Sequence, residues 1–354
     1  MAATPTFPLL GLPADEIRRT IRVMNFEQIL RFSFLSKRCK NLVAGIQIKR
    51  MYFSVFISRS IAVIIHFFGS RYIRLEFYTE PDMYWGEGAY GRKKKLTAPQ
   101  SVIVSHNGPI GFDIESSTWE RNELTMQYWL KHLQDIFNYR GIQSIKFSTD
   151  SSQFDRDDIK QVFDSTTEID IGNTGCVEFN QMVLRNYFPI DDLTIWTDNF
   201  RDSKIPPSLL MQNRVKLEVI DRDLDVPITL NDLLLINSKV IIVGNLLSPQ
   251  QLPKDFITLW QKGSNPNLEY FCVEFSDDEE TDEQFFMNGI KYEENPLDRV
   301  RNFKSVGFEN PIEISGGLDI YRLDGVKATI KIYFEDPLPF FRMFVWFDHC
   351  VVEP

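Results

Sequence analysis

The feature that most constrains the fold is a short alternating segment that recurs every 24 residues in the middle of the chain. Each copy places two apolar residues around one variable residue, which predicts a short strand. The five copies are Ile145-x-Phe147, Ile169-x-Ile171, Leu193-x-Ile195, Leu217-x-Val219 and Ile241-x-Val243. Helical patterns separate them, over residues 156–163, 177–187, 207–212 and 230–236. The sequence therefore predicts a strand and a helix that repeat together.

Two architectures fit a strand–helix unit of this length. A period of about 20–29 residues is typical of a leucine-rich-repeat-like solenoid, in which each unit stacks on its neighbours. An ordinary βαβ sheet also alternates strands and helices, and it remains the alternative. Four equal intervals favour the curved α/β stack, and the absence of an asparagine ladder makes it a divergent one.

The segments on both sides of the repeats favour β-structure, because β-branched and aromatic runs there are broken by Ser and Gly. We expect a β-rich segment over residues 51–117, the α/β repeats over 118–275 and a second β-rich segment over 285–354. An acidic run, SDDEETDE from Ser276, is typical of a solvated loop over 276–284. Asp324-Gly325 predicts a tight hairpin turn. The fold class is therefore α+β or α/β.

The composition argues against several classes of function. The net charge is −10, whereas nucleic-acid binders need a concentrated positive field. The four cysteines are dispersed and form neither a C-x-x-C pair nor a disulfide framework. The most apolar stretch, Ile61 to Phe68, is far shorter than a membrane span, and the N-terminus lacks a signal-peptide pattern. We expect a cytoplasmic and/or nuclear protein that binds neither nucleic acid nor membrane.

The first fifty residues predict three short helices. Leu12-Pro13 precedes the first helix, where Pro is suited to a first-turn position. Asn25 and Gln28 have the spacing of a capping box for the second helix, and Ser36 is a cap for the third. Such a small unit carries more large apolar residues than it can bury by itself. Two interpretations follow: a helical cap packed on the rest of the chain, or a docking module.

The same segment resembles an F-box, the helical motif by which substrate receptors dock onto the linker subunit of SCF (Skp–cullin–F-box) ubiquitin ligases. The resemblance rests on Phe7-Pro8-Leu9-Leu10, Leu12-Pro13, Ile17 with Ile21, Ile29-Leu30 and Phe34-Leu35-Ser36-Lys37. Its details are similar to a large nematode group in which a type 2 F-box-associated region follows the F-box. In that group's pattern, residues 231–269 resemble the core of the region and residues 318–330 resemble its ending.

The resemblance implies two domains, an F-box over residues 5–50 and an F-box-associated substrate-recognition region over 51–354. It also implies a function: a substrate-recognition adaptor of an SCF ubiquitin ligase, with a Skp-type linker subunit and an unknown target protein as partners. A scaffold for protein–protein interaction without ligase activity is the alternative. The residues implied to bind the linker subunit are Leu9, Leu12, Pro13, Ile17, Ile29, Leu30, Phe34, Leu35, Ser36 and Lys37.

No set of residues in the sequence predicts catalysis, a cofactor or a metal site. Gly86 to Gly91 matches G-x-G-x-x-G, but a dinucleotide site needs a strand before it and a helix after it. No two of the four histidines have metal-ligand spacing. Arg92 to Lys95 is a short basic cluster, interpreted as a solvated loop in preference to a nuclear import signal. We therefore expect a protein that is not an enzyme.

The target would bind along the outward-facing residues of the repeated strands. Alternation places the middle residue of each triplet on the face opposite its two apolar neighbours. A one-residue change of register would move all of these residues to the buried face. The predicted target-binding residues are Lys146, Asp170, Thr194, Glu218 and Ile242.

Overall fold

The computed structural model describes thirteen stretches of the chain, and the statements below concern those residues. They are residues 11–48, 51–67, 71–78, 93–96, 98–107, 114–120, 123–187, 189–200, 204–220, 228–246, 251–275, 286–333 and 340–352. The chain divides into two compact units, residues 1–166 (unit 1) and 167–354 (unit 2). This division falls within the predicted repeat region, and the predicted domain boundaries stay predictions from the sequence.

Unit 1 begins with helices, continues with strands and contains two further helices. Its elements are α1 (Ala14–Val23), α2 (Phe26–Ser33), α3 (Lys37–Ala44), β1 (Met51–Ile57), β2 (Ile61–Phe67), β3 (Arg71–Tyr78), β4 (Ser101–Asn107), β5 (Ile114–Trp119), α4 (Met126–Phe137), β6 (Ile142–Phe147) and α5 (Arg156–Val162). The strand order is β6-β1-β2-β3-β4-β5, with β6 parallel to β1 and the other neighbours antiparallel.

The ends of the short N-terminal helices follow the predicted capping signals. Asn25 Oδ1 accepts from the Gln28 backbone N–H at 2.8 Å, and the Gln28 side chain accepts from the Asn25 N–H at 3.0 Å. Ser36 Oγ accepts from the Cys39 N–H at 3.1 Å. Pro13 is the N-cap of α1, one position before the predicted first turn, and its carbonyl accepts from Glu16 and Ile17. Each bond satisfies a backbone group that a helix end leaves unpaired.

One face of the unit 1 sheet is buried, and α4 lies against it. Strand β1 alternates, with Phe53, Val55 and Ile57 buried. The rings of Phe53 and Phe67 contact Phe137 of α4 edge to face, with centroids 6.4 and 5.9 Å apart. The amphipathic helix therefore supplies the apolar layer that this sheet face needs.

Unit 2 is built from five parallel strands followed by antiparallel ones. Its elements are β7 (Thr166–Ile171), α6 (Val177–Asn186), β8 (Asp192–Trp196), α7 (Pro207–Leu210), β9 (Lys216–Ile220), α8 (Leu230–Leu235), β10 (Val240–Leu246), α9 (Gln251–Gln261), β11 (Tyr270–Phe275), β12 (Glu293–Phe303), β13 (Ile312–Tyr321), β14 (Lys327–Tyr333), β15 (Phe340–Val345) and β16 (Val351–Val352). The strand order is β16-β12-β13-β14-β15-β11-β10-β9-β8-β7.

Residues that are 24 apart in the sequence also pair with each other in adjacent strands of the sheet. Ile169 pairs with Leu193, Leu193 with Leu217 and Leu217 with Ile241, each in adjacent parallel strands. The five predicted strands are found as β6 to β10, and the helices predicted between them are found as α5 to α8. The prediction of a mixed α/β chain is confirmed.

The C-terminal strands close one end of the unit 2 sheet. β11 pairs antiparallel with β15, and β14 lies between β15 and β13. The predicted hairpin joins β13 and β14 and contains Gly325 at φ +89°, a left-handed conformation that favours glycine. An apolar cluster fills this end of the unit: Val240, Tyr270, Cys272, Phe303, Ile314, Phe344 and Cys350.

Candidate functional site

The residues predicted to bind the linker subunit fall into three groups by burial. The buried group is Ile17, Ile29 and Leu30, the part-buried group is Leu12 and Phe34, and the exposed group is Pro13, Leu35, Ser36 and Lys37. Leu9 lies outside the described residues. The buried side chains form the interior of the helical segment, so in this structure only the other two groups offer side-chain surface to a second protein.

Phe34 has a partner within the chain. Its ring stacks on the imidazole of His132 with centroids 3.9 Å apart and meets the Trp129 ring edge to face at 4.9 Å. Both partners lie on α4. The sequence suggested that the apolar surface around Phe34 awaits a second protein, whereas the structure shows that much of it packs inside unit 1.

Polar contacts join the same helices. Ser33 Oγ lies 2.8 Å from Nε2 of His132, and Lys40 Nζ forms an ion pair with Asp135 at 2.8 Å. The hydrogen bond from Lys40 is the main cause that lowers the pKa of the Asp135 carboxyl. Burial, with a smaller effect from the Lys40 charge, lowers the pKa of His132 to about 4. The imidazole is therefore neutral at pH 7.

The helical segment also contacts the sheet. Phe26 stacks on Phe67 of β2 with centroids 4.2 Å apart, and the Arg31 guanidinium lies 4.4 Å from the centre of the Trp119 ring in β5. These contacts agree with the interpretation of the helices as a cap on the rest of the chain. They do not exclude docking, because other side chains of the segment stay exposed.

The helical segment also presents apolar side chains to solvent. Val23 at the end of α1 is 84% exposed, and Leu35 after α2 is 71% exposed. A groove of about 530 Å³ lies between the helical segment and α4 and is lined partly by Phe34, Lys37 and Tyr128. Aliphatic side chains at such exposure provide a surface on which a second protein can bury apolar area.

The predicted target-binding residues of unit 2 share one row of its sheet. Asp170 pairs with Thr194, Thr194 with Glu218 and Glu218 with Ile242 across β7 to β10. Their neighbours in sequence, such as Leu193 and Ile195, are buried. The alternation therefore has the predicted register. Lys146 does not join this row within unit 2, because it lies on β6 in unit 1, opposite Phe56.

Ile242 differs from the other members of the row. It is part-buried and packs against the apolar cluster at the C-terminal end of the unit. Near it, a side chain in place of Gly307 would approach Cγ2 of Val240 to 2.9 Å, so the segment around Gly307 lies directly over the start of β10. The acidic part of the row, on β7 to β9, is therefore the better candidate surface for a target.

A second row on the same face was missed by the sequence reasoning. Glu168 pairs with Asp192 and Asp192 with Lys216, two residues before the first row on each strand. β7, β8 and β9 together carry four carboxylates and one cationic side chain, Lys216, whose ammonium lies 2.7 Å from Glu218. Extending the alternation by one step along each strand would have found these residues.

The electrostatics of this face reflect the excess of carboxylates. Burial and the neighbouring acidic groups raise the pKa of Glu168, although Lys216 opposes them. Burial and the charge of Asp191 raise the pKa of Asp192 against the same opposition. Oδ1 of Asp192 has no hydrogen-bond partner among the described residues. Ionisation of these two carboxyl groups is thus less favourable in the folded chain than in water.

This imbalance predicts that Asp192→Asn stabilises the protein at neutral pH. A folded pKa above the unfolded value means that the ionised group costs stability above that pKa, and the cost disappears as the pH falls below the unfolded value. We expect the free energy of unfolding to rise by ~0.5–1 kcal/mol at pH 7, as measured by urea denaturation, and the gain to vanish near pH 3. The exposed control Glu309→Gln should change it little, and a loss of stability in Asp192→Asn would contradict the prediction.

Glu269, His349 and Cys350 form the one group of metal-ligand type found among the described residues, with ligand atoms within 4.8 Å of one another. The buried Glu269 carboxylate already accepts from Ser305 and Val306 and contacts His349 Nε2 at 3.0 Å and Lys239 Nζ at 3.1 Å. Burial raises the pKa of Cys350 to about 11. A fully bonded carboxylate beside an ammonium and a neutral thiol describes a structural contact network better than a cation site.

Helices long and apolar enough to cross a membrane are absent from the described part of the chain. The fold and the two surfaces thus define a mixed α/β protein with exposed apolar side chains on its helical segment and an acidic, part-buried sheet face. Both are suited to binding other macromolecules.

Comparisons with known proteins agree with the resemblance seen in the sequence. Residues 205–273 match the model of the family described as F-box associated. A Caenorhabditis elegans protein described as F-box associated domain-containing protein sdz-33 is 25% identical over 336 residues, which cover 93% of this chain and 94% of that protein. No solved structure matches the chain. Both comparisons support the resemblance to nematode-type proteins with an F-box-associated region of the second type that the sequence indicated.

Proposed function

We propose that this chain is a substrate-recognition subunit of an SCF ubiquitin ligase. In this proposal residues 5–50 are an F-box that docks a Skp-type linker subunit, and the remainder captures a target protein. The parallel part of the chain then acts as a divergent leucine-rich-repeat-like stack whose open face contacts the target. The protein works in the cytoplasm or nucleus.

One observation carries the proposal. A three-helix segment with an exposed apolar surface, at Val23 and Leu35, is followed in the same chain by a region that matches the F-box-associated family. The matched family is described as F-box associated, so the three helices before it fit an F-box. The partner of an F-box is a Skp-type linker subunit. The exposed Pro13 lies at the start of the same helical segment.

The chain itself contributes binding and no chemistry in this proposal. A ligase subunit of this kind holds a lysine of the target close to a charged conjugating enzyme, which raises their effective concentration. Such catalysis by proximity needs a firm connection between the docking and capture surfaces. Within unit 1, the Phe34–His132 stack and the Lys40–Asp135 ion pair hold the helical segment on α4.

The contacts with α4 also determine how docking should be tested. Removal of residues 1–50 would expose Phe67, Trp129 and His132, so loss of binding by that deletion could reflect unfolding. A point substitution on the exposed surface is cleaner. Leu35→Asp replaces a side chain that is 71% exposed, and its matched control Leu323→Asp replaces one that is 83% exposed in unit 2.

We expect Leu35→Asp to weaken binding of a purified Skp-type linker subunit by about thirtyfold or more, because a carboxylate would be buried in an apolar interface. Leu323→Asp should bind as the unchanged chain does. Isothermal titration calorimetry on the full chain measures both, and circular dichroism verifies folding. Equal affinity of a folded Leu35→Asp variant would place the docking surface elsewhere, and no binding by the unchanged chain would remove the proposal.

The scaffold alternative predicts the same linker binding and a different outcome in cells. If the chain supports ubiquitination, the abundance of its captured target should rise when the proteasome is inhibited and when Leu35→Asp replaces the unchanged chain. A captured target whose abundance responds to neither change favours the scaffold.

A further inference from the structure

A small cleft in unit 2 lies between α6 and the segment around α7. Its volume is about 340 Å³, at the small end of the range of ligand pockets. One wall is a single helix face, because Leu184 and Arg185 follow Gln181 on α6 by three and four residues. The other wall comes from residues 206–212, which lie inside the region that matches the F-box-associated family. The cleft therefore lies in the part of the chain that we propose captures a target.

The floor of the cleft is apolar. Phe200, Leu209 and Leu184 line it and are 5, 7 and 8% exposed. Pro206 adds a further apolar, part-buried side chain to the lining. A ligand that fills the cleft must therefore bring an apolar group, which gains free energy when it leaves water for such a surface.

The rim of the cleft carries hydrogen-bond donors and a cation. Among the described residues, the lining contains the Arg185 guanidinium and no carboxylate. Arg185 makes no hydrogen bond or ion pair with another described residue, and neither does the Gln181 carboxamide. The Ser208 side chain is exposed on the other wall. In the free protein these groups face water, so the rim offers positive charge and donors to an anionic ligand.

The carboxamide of Gln212 is oriented by a neighbouring guanidinium. Arg214, which is 4% exposed, donates to Gln212 Oε1 and to the Ile190 carbonyl. A guanidinium can only donate, so the carboxamide oxygen faces Arg214 and the Nε2 group of Gln212 remains a donor. Gln212 lines the cleft in this held orientation. A side chain that is already ordered loses less conformational entropy when a ligand binds.

We propose that this cleft binds the C-terminal residue of a target protein, with its free carboxylate at Arg185 and its apolar side chain on the floor. The proposal rests on the proposed function, because it names the part of the target that the chain holds. Charge and hydrogen bonding select this occupant, since a carboxylate can accept two parallel hydrogen bonds from a guanidinium and others from the carboxamides. A chain end also fits a small cleft better than an internal acidic segment, which needs room for the chain on both sides.

The test measures binding of labelled peptides to the purified full chain by fluorescence anisotropy. The peptides share an N-terminal fluorescein and a glycine–serine repeat, and each ends in leucine, phenylalanine, glycine or lysine with a free carboxylate. We expect the leucine and phenylalanine peptides to bind about tenfold more tightly than the other two. Amidation of the leucine end should weaken binding about tenfold, or ~1.4 kcal/mol. Absence of binding by every free-acid peptide, or equal binding of the amide, overturns the proposal.

Two competitors test whether the occupant is a chain end. One is an amidated peptide with an aspartate in the middle of the repeat, and the other is 4-methylpentanoate, a small acid with a leucine-like chain. Both should displace the leucine peptide only at concentrations at least about tenfold above that of the unlabelled leucine peptide. Equal competition by the first would mean an internal acidic segment, and equal competition by the second would mean a small-molecule site. Either result overturns the proposal.

Variants then locate the binding. Arg185→Gln removes the cation from an exposed position and should weaken binding of the leucine peptide about tenfold. Arg185→Lys keeps the charge without the planar guanidinium and should restore part of that loss. The matched control Arg299→Gln removes an exposed guanidinium elsewhere in unit 2 and should bind the peptide unchanged. No loss in Arg185→Gln, or equal loss in Arg299→Gln, overturns the proposal. If Arg185→Gln fails to fold, the amidated peptide still tests the carboxylate on the unchanged chain.

Linker-subunit binding, measured by isothermal titration calorimetry on the same samples, separates this proposal from the proposed function. Arg185→Gln should bind the linker subunit as the unchanged chain does, because Arg185 lies in unit 2. Intact linker binding without leucine-peptide binding overturns only the assignment of the cleft. Leucine-peptide binding by an unchanged chain that does not bind the linker subunit removes the proposed function and leaves the cleft as a site for chain ends.

Discussion

Trp129→Ala should lower the free energy of unfolding of unit 1 by ~4 kcal/mol. Trp129 is fully buried on α4, and its ring contacts Phe34, Phe77 and Trp119 with centroids 4.9, 5.8 and 6.0 Å away. Truncation of a buried tryptophan to alanine leaves a cavity and removes these ring contacts, which typically costs about 3–5 kcal/mol. The indole is the point at which the helical segment, α4 and the sheet meet.

Native-state hydrogen exchange of the full chain is the suitable measurement, because it reports the stability of unit 1 separately from that of unit 2. The amide protons of α4 and of α1–α3 should lose protection together. Tyr128→Ala is the matched control, since Tyr128 is the preceding residue on α4 and is 48% exposed, and it should cost less than ~0.5 kcal/mol. If Trp129→Ala costs under ~1 kcal/mol, or if α1–α3 keep their protection, the contact with α4 is not what stabilises the helical segment.

Acidification from pH 6.5 to pH 4 should weaken unit 1 through His132. In the folded chain its pKa is about 4, below the ordinary value of about 6.5. Between these values the unfolded chain binds a proton and the folded chain does not, so stability is lost as the pH falls. The shift allows a loss on the order of 2–3 kcal/mol, fully developed near pH 4. Asp135, whose pKa is lowered, loses its contribution only at lower pH.

A substitution isolates the contribution of this histidine. His132→Phe keeps a ring to stack on Phe34 and has no group that titrates, so the slope of stability against pH should decrease by most of that amount. His66 provides the matched comparison, because burial also lowers its pKa but it lies on β2, away from α4. A His66→Phe variant should retain most of the slope. The assignment to His132 is wrong if the two substitutions flatten the pH profile equally.

The positions of most elements could be predicted from the sequence because the signals are local. A capping box such as Asn25 with Gln28 involves residues three apart, and the alternation that marks β9 involves its own five residues. The repeat of 24 residues predicted more than the strands themselves. Because the strands recur at equal spacing, it also indicated which residues of adjacent strands pair with each other. Leu193 and Leu217 are adjacent in the sheet for that reason.

The candidate surfaces were predicted less completely, because burial depends on segments far apart in the chain. Phe34 reads as surplus apolar surface in its own segment, yet its neighbour Ser33 bonds to His132, 99 residues away. Ile242 has the alternation of an outward-facing residue, but the apolar cluster that includes Phe303 and Phe344 covers it. Pattern alone shows which face a residue is on, and packing decides whether that face is open.

By itself, then, the sequence determined the helices with their caps, the repeated strands with their register, and the resemblance to F-box proteins with an F-box-associated region. Only the tertiary structure decided that Phe34 packs on α4 while Leu35 remains exposed, and that Ile242 packs against the apolar cluster at the C-terminal end of unit 2. The physical reason is that hydrogen bonding and periodicity act over a few residues, whereas the removal of side chains from water requires elements that meet only in the folded chain.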